Sequence, residues 1–187
     1  MDALDLLLNR RSEKKLTYPA PQGEQLQTIL QAGLQAPDHG RLTPYRFVVI
    51  EKNGLKKLEE CFKDAVIEFG LGEERLKKAE SLPQRAPMFI AVIAKLNAEI
   101  KKVPTWEQML SAGCATYSLQ LAANALGFAN VWITGNWVEG RALRYTLKCS
   151  QQEKIIALLM LGTAEKQEKY ERSHKGAEIS DIVSYLH

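Results

Sequence analysis

The stretch from Thr105 to Leu126 constrains the fold more than any other part of the chain, because at helical spacing it leaves almost no polar face. Trp106, Met109, Leu110, Gly113, Cys114, Tyr117, Leu121 and Leu126 form one broad stripe, and Ala112, Ala115, Leu119, Ala122, Ala123 and Ala125 fill much of the rest. A helix that is apolar on all sides has to be covered on all sides. Its limits are written locally. Pro104-Thr105 followed by Gln108 predicts a capping box, and Gly127 predicts a stop at a residue that tolerates positive φ. Such a helix can form the core of one chain or, through its small residues, the seam against a second copy, and the pattern favours the seam.

The chain's 187 residues are enough to bury one real core, and no polar or Pro-rich linker divides it, so a single domain over residues 1–187 is expected. The 25 basic and 22 acidic side chains leave a formal charge of +3, too small and too scattered to mark a nucleic-acid binder. Cys61, Cys114 and Cys149 are an odd number of cysteines without metal-ligand spacing, and they read as reduced thiols of a cytoplasmic protein. No basic-then-apolar leader opens the chain and no run of eighteen apolar residues interrupts it, so neither secretion nor membrane insertion is expected.

Elements follow from periodicity. Asp2 caps a short helix with Leu4, Leu7 and Leu8 on one side, ending at Asn9-Arg10-Arg11-Ser12. Leu26, Ile29, Leu30 and Leu34 predict a second helix, which must yield before Pro37. The loop Pro37–Pro44 then leads into a strand, Tyr45–Ile50. Between Lys52 and Lys78 one or two surface helices turn Leu58, Phe62, Val66 and Phe69 inward and break at Gly70 and Gly72. Pro87–Ala94 is too continuously apolar for a strand with a wet face and predicts a central one. A strand over Phe128–Thr134, a helix over Glu139–Leu147 and a buried strand over Lys154–Gly162 complete an α+β domain of about four strands among five or more helices. A charged tail from Lys166 to Ser180 precedes apolar Ile182, Val183, Tyr185 and Leu186, the pattern of an arm that packs away from its own last strand.

The sequence holds no nucleophile elbow, phosphate loop, zinc spacing or dinucleotide fingerprint, so no catalytic side chain and no metal ligand is assigned. His174 and His187 lie in the tail and read as surface residues, whereas His39 stands in the Pro-flanked loop beside Asp38 and Arg41. Arg10-Arg11-Ser12 offers two guanidinium groups and a hydroxyl to an anion such as a phosphate. The same arginines would equally well face the negative end of the first helix. Trp132-Ile133-Thr134-Gly135 puts an aromatic and backbone donors at a strand end, where Trp132 can border a ligand or close the core. Lys166, after Gly162-Thr163, is a further cation within possible reach of a phosphate.

The ordered set is more specific than its parts. The helix ending in Arg10-Arg11-Ser12, Ala36-Pro37 opening a loop into Pro44–Ile50, Arg85-Ala86-Pro87 before the buried strand, the Ala-rich helix closed by Gly127-Phe128, Trp132, and Leu161-Gly162-Thr163 together resemble the nitroreductase family nearly end to end. Ala36-Pro37-Asp38-His39, Val103-Pro104 with Trp106-Glu107-Gln108, and Ser111–Ala115 resemble its small YdjA-like subgroup. The resemblance implies a nitroreductase-like α+β fold: a mixed, mostly antiparallel sheet flanked by helices, in an intertwined homodimer holding FMN at the interface. It implies FMN contacts from Arg10, Arg11 and Ser12 at the phosphate and ribityl end, from Gln35 and His39, one or both across the dimer, and from Trp132, Ile133 and Thr134. Gln35 replaces an arginine of the subgroup, and Arg41, Thr43 and Tyr45 occupy the loop where most of the family carry an asparagine and a glutamine before a tryptophan. The implied activity passes reducing equivalents from NAD(P)H through FMN to nitroaromatic or quinone-like acceptors. An enone reductase or dehalogenase-like activity on the same scaffold, or a non-redox phosphate-binding module, stays open as an alternative.

Overall fold

The computed structural model describes residues 2–165 and 178–186. Lys166, His174, His187 and most of the charged tail lie outside them. Strand β3 (Met88–Lys95) is the centre of the sheet. Its residues Met88 to Ala94 are all buried, as an unbroken apolar run requires. It pairs antiparallel with β2 (Tyr45–Glu51) on one side and with β5 (Glu153–Ala164) on the other. The far edge of β5 takes β4 (Ala129–Ile133), and its last two residues pair with β1 (Leu16–Thr17), a two-residue strand too short to leave a periodic signal. Every pairing among the described strands is antiparallel, so the sheet is antiparallel and not mixed over the described residues.

Alternation along the strands separates two layers. Phe89, Ala91 and Ile93 point to one face, where α3 (Asn53–Glu68), α4 (Glu73–Ser81), α6 (Asn136–Glu139) and α7 (Arg141–Thr146) bring Leu58, Phe62, Val66, Ala79, Trp137 and Leu143. Met88, Ile90 and Val92 point to the other, where α2 (Glu24–Gly33) and α5 (Thr105–Ala125) bring Ile29, Leu119 and Ala123. Each large side chain enclosed in this way contributes about 1.5–3 kcal/mol, so the sheet is the main store of stability. The helix expected between Glu139 and Leu147 is divided at Gly140, whose Cα packs so closely on α3 that a Cβ would stand 2.9 Å from that of Ala65. Phe69, expected inward, is instead a partly exposed C-cap of α3.

The long helix forms as its pattern requires and stops where Gly127 adopts φ +85°. Its start differs from expectation. Pro104 is the N-cap, without a side-chain cap, and Gln108 is turned into the protein. There its Oε1 accepts from the Asn97 amide (2.8 Å) and its Nε2 donates to the carbonyls of Asn97 (2.9 Å) and Val103 (2.7 Å). A buried amide with three such partners gains more than a cap would return, because every donor or acceptor left unpaired inside costs about 1–3 kcal/mol. Gln108, Ala112, Ala115, Leu119 and Ala123 face the sheet, while Trp106, Leu110, Cys114 and Tyr117 remain open on the opposite side, Trp106 at 62% exposure. One chain therefore covers only half of a helix that is apolar all round.

Candidate functional site

At the N-terminus Asp2 accepts from the amides of Leu4 (2.9 Å) and Asp5 (3.4 Å) and starts α1 (Ala3–Asn9). Arg10 is its C-cap residue. After the turn the Glu13 amide donates to the Asn130 carbonyl (2.9 Å), which moors Arg10-Arg11-Ser12 to β4. Asn130 is wholly buried and paired with α5: its Oδ1 accepts from Gln120 Nε2 (2.8 Å) and its Nδ2 donates to the Gln120 carbonyl (3.1 Å). The turn is thus fixed against the end of the long helix by a satisfied buried pair.

Between them lies a cleft of about 560 Å³ lined by Arg10, Arg11, Asn9 and Glu13 from the turn, Asp5 and Leu6 from α1, Ala164 from β5, and Asn124, Gly127, Phe128 and Ala129 around the end of α5. Arg10 makes no ion pair among the described residues, so its charge stays available to an anion. The carboxylate of Glu13 is turned away onto the backbone amides of Lys14 (2.9 Å) and Lys15 (3.3 Å). Asn124 Nδ2 donates to the Phe128 carbonyl (2.9 Å), but its buried Oδ1 has no partner among the described residues. A cation pair beside an unsatisfied acceptor suits a ligand that carries both an anionic group and hydroxyl donors. No local pattern marks Asn124, one of several polar residues in a mostly apolar helix.

His39 stands elsewhere. Its loop is held by Asp38, whose Oδ2 accepts from the Thr43 amide (2.7 Å) and whose carbonyl accepts from that of Arg41 (3.2 Å). Within it Gly40, Arg41 and Thr43 all have positive φ, at +80°, +53° and +44°. For a β-branched threonine this is a strained conformation, of a kind that clusters at ligand sites. The buried Tyr45 hydroxyl that follows is shifted upward by burial and by the negative charge of Asp38. The His39 ring reaches the first turn of α5, where Nδ1 lies 2.6 Å from Glu107 Oε2. Gln35 is exposed just after α2.

Trp132 takes the core-closing role of the two. Its ring packs against the α2–α5 cluster, and Nε1 donates to the Ile156 carbonyl (3.2 Å). That carbonyl belongs to the extra residue of a bulge in β5, since Val92 pairs with Ala157 and Ile93 with Ile155. Ile133 is half-buried and Thr134 exposed beyond the strand end. The cleft thus gathers Arg10 and Arg11, with Ser12 in the same turn, but Gln35, His39, Trp132, Ile133 and Thr134 do not line it. Among the described residues no group of His, Cys, Asp or Glu is placed to hold a metal ion, and no helix is long and apolar enough to cross a membrane.

Comparison with known proteins bears on the family and the fold. The chain is 58% identical to the "Putative NAD(P)H nitroreductase" of Haemophilus influenzae over the whole of both sequences. It is 46% identical to the "Putative NAD(P)H nitroreductase YdjA" of Escherichia coli over 88% of this chain and 90% of that one. Its fold superposes on a nitroreductase-like family protein from Bacillus cereus with a TM-score of 0.85, at 18% identity and coverage of 100% and 96%. The "putative nitroreductase in complex with fmn" of Desulfovibrio desulfuricans superposes with a TM-score of 0.72, at 21% identity and coverage of 100% and 98%. With residues 7–163 matching the model of the Nitroreductase family, the chain belongs to that family.

Proposed function

We propose that the chain acts as one domain in an FMN-dependent NAD(P)H oxidoreductase, reducing nitroaromatic or quinone-like acceptors in a homodimer. One observation carries the reading: the candidate flavin residues stand at opposite ends of α5. Arg10 and Arg11 share their cleft with Asn124 and Gly127, while His39 is bonded to Glu107. At 1.5 Å per residue those two ends of the helix are about 26 Å apart, too far for both sets to meet on one small cofactor within a single chain. A second copy laid antiparallel along the exposed face of α5 brings the opposite ends together. Trp106, Leu110, Cys114 and Tyr117 mark that seam, and the exposed Leu4, Leu7 and Leu8 of α1 extend it. An apolar stripe of this extent on one chain is what a subunit interface requires.

The cleft fits the cofactor's tail. Arg10, Arg11 and the hydroxyl of Ser12 would hold its phosphate, and the unpartnered Oδ1 of Asn124 would accept from a hydroxyl of its ribityl chain. Gln35 and His39 of the other subunit and the segment Trp132–Thr134 would then border its ring. When bound, FMN accepts hydride from a nicotinamide and delivers electrons to a second flat substrate. The chain's own part is to anchor, orient and exclude water, which explains why no acid–base pair is needed.

The test begins with colour. A purified protein with a flavin absorbance spectrum that releases FMN on denaturation, elutes as a dimer and oxidises NADH or NADPH in the presence of nitro compounds or quinones is the expected result. A colourless monomer that takes up no FMN refutes the reading. Turnover of enones alone moves the protein to another reaction on the same scaffold.

A further inference from the structure

The pair formed by His39 and Glu107 joins residues 68 positions apart. Both partners are held from behind. The His39 loop is fixed by the Asp38 hydrogen bonds and by contact with the segment before α5, where a Cβ on Gly40 would stand 3.2 Å from Val103 Cγ2. The approach to α5 is in turn clamped by Gln108, which bonds both Asn97 and Val103. Glu107 sits in the helix's first turn, where a carboxylate is favoured by the unpaired amides of the helix end. Its side chain is 27% exposed against 52% for His39.

Most exposed ion pairs contribute little because two long side chains must be ordered to make them. Here the backbone on each side is already ordered, so little is left to lose. The contact is also selective. A carboxylate at 2.6 Å from Nδ1 requires a proton on that nitrogen, which in neutral imidazole leaves Nε2 bare. Nε2 has no partner among the described residues, on a side chain that is half exposed.

We propose that Glu107 is the positioning residue for His39, fixing its tautomer and ring orientation so that Nε2 is the atom with which His39 meets the flavin. The proposal rests on the flavin reading above and deepens it. It also gives Trp106-Glu107-Gln108 a division of labour: Trp106 faces the second subunit, Glu107 orients His39 and Gln108 locks the segment that carries them.

The experiment uses the full-length protein and two independent readouts. Imidazole nitrogen chemical shifts, with His39 assigned by its loss in His39→Asn, report the tautomer of the neutral ring in the FMN-depleted protein. The expected result is a proton on Nδ1 in the native chain and a shift toward the Nε2–H form in Glu107→Ala. Fluorescence titration with FMN reports the consequence. Glu107→Ala should weaken binding about three- to tenfold, the loss expected of a charge-assisted hydrogen bond at a half-exposed site. Glu107→Gln, whose Oε1 can still accept from Nδ1, should recover most of it. Once His39 is already alanine, Glu107→Ala should add nothing. A native His39 protonated at Nε2, or an equal loss from Glu107→Ala with and without His39, overturns the proposal. FMN binding that depends on His39 but ignores Glu107 overturns it while leaving the flavin reading standing. A native protein that takes up no FMN overturns both.

Discussion

Replacing Arg46 with methionine tests how β2 is tied to the start of β5. Arg46 Nε donates to Glu153 Oε1 (2.6 Å), and Nη2 donates to Glu153 Oε2 (3.1 Å) and to the Leu147 carbonyl (2.9 Å). Glu153 Oε2 also accepts from the Ser150 amide (2.9 Å). The hydrogen bond from Arg46, together with its charge, holds the Glu153 carboxyl below the ordinary carboxylate range, and the same bond raises Arg46. Methionine keeps the aliphatic stem but leaves Glu153, whose side chain is 12% exposed, with Ser150 as its main support. Breaking a buried pair from one side costs about 3–5 kcal/mol. Arg46 is 30% exposed, so water recovers part of this, and a loss of about 2–3 kcal/mol is expected. For a chain of this size that lowers Tm by about 5–10 °C.

The loss should depend on pH in a defined direction. Glu153 is depressed in the folded state, so its contribution is present above the unfolded carboxyl value, about 4.3, and disappears as pH falls through the lower folded value. In the Arg46→Met chain the depression from Arg46 is lost, burial is opposed only by the Ser150 amide and the charge of Lys95, and protonation relieves the penalty of the buried carboxylate. Urea unfolding followed by circular dichroism, at one fixed protein concentration because an associating chain is stabilised by mass action, should therefore show the difference at pH 7 shrinking toward about pH 3.5. A difference that is the same at both pH values, or below about 0.5 kcal/mol at pH 7, refutes the assignment of this pair as a support.

Arg10→Ala combined with Ser12→Ala should weaken FMN binding at least about tenfold, the loss of one or two charge-assisted bonds, while the far-ultraviolet circular dichroism stays native; full flavin occupancy at low FMN would contradict the phosphate assignment. Leu110→Glu with Tyr117→Glu places two charges on the open face of α5, so sedimentation should show a monomer that has lost FMN affinity. Gly162→Ala should destabilise by about 1–3 kcal/mol in thermal melts, because its Cβ would stand 2.7 Å from Pro87 Cδ and 2.8 Å from the Thr17 carbonyl oxygen.

What could be read from the chain was whatever depends on period and on local stereochemistry. The buried run of β3, the break between α3 and α4, and the stop at Gly127 each follow from a few adjacent residues, and each stands as expected. Polar residues were less legible, because a side-chain amide advertises only that it needs partners. Gln108 has the spacing of a capping residue and serves as a clamp; Asn130 looks like any strand polar residue and is the buried link between β4 and α5. Glu107 is indistinguishable from the many acidic residues that open helices, and only the folded loop shows that His39 arrives beside it.

The cofactor residues show the same limit at longer range. Arg10-Arg11-Ser12, Gln35, His39 and Trp132–Thr134 can each be picked out in a one-dimensional reading, but their separation cannot, since that depends on where α5 runs. Its sheet-facing side is filled by small and amide residues, its other side by Trp106, Leu110 and Tyr117, and its two ends carry different halves of the candidate site. Those three facts are coupled. A shorter central helix would let one chain gather every contact, and a polar outer face would leave nothing to bind a second copy. On the proposed reading, the length of the helix and its apolar outer face would make joining two subunits and completing the flavin site the same event, and substitutions on that face should then impair dimer formation and FMN retention in proportion.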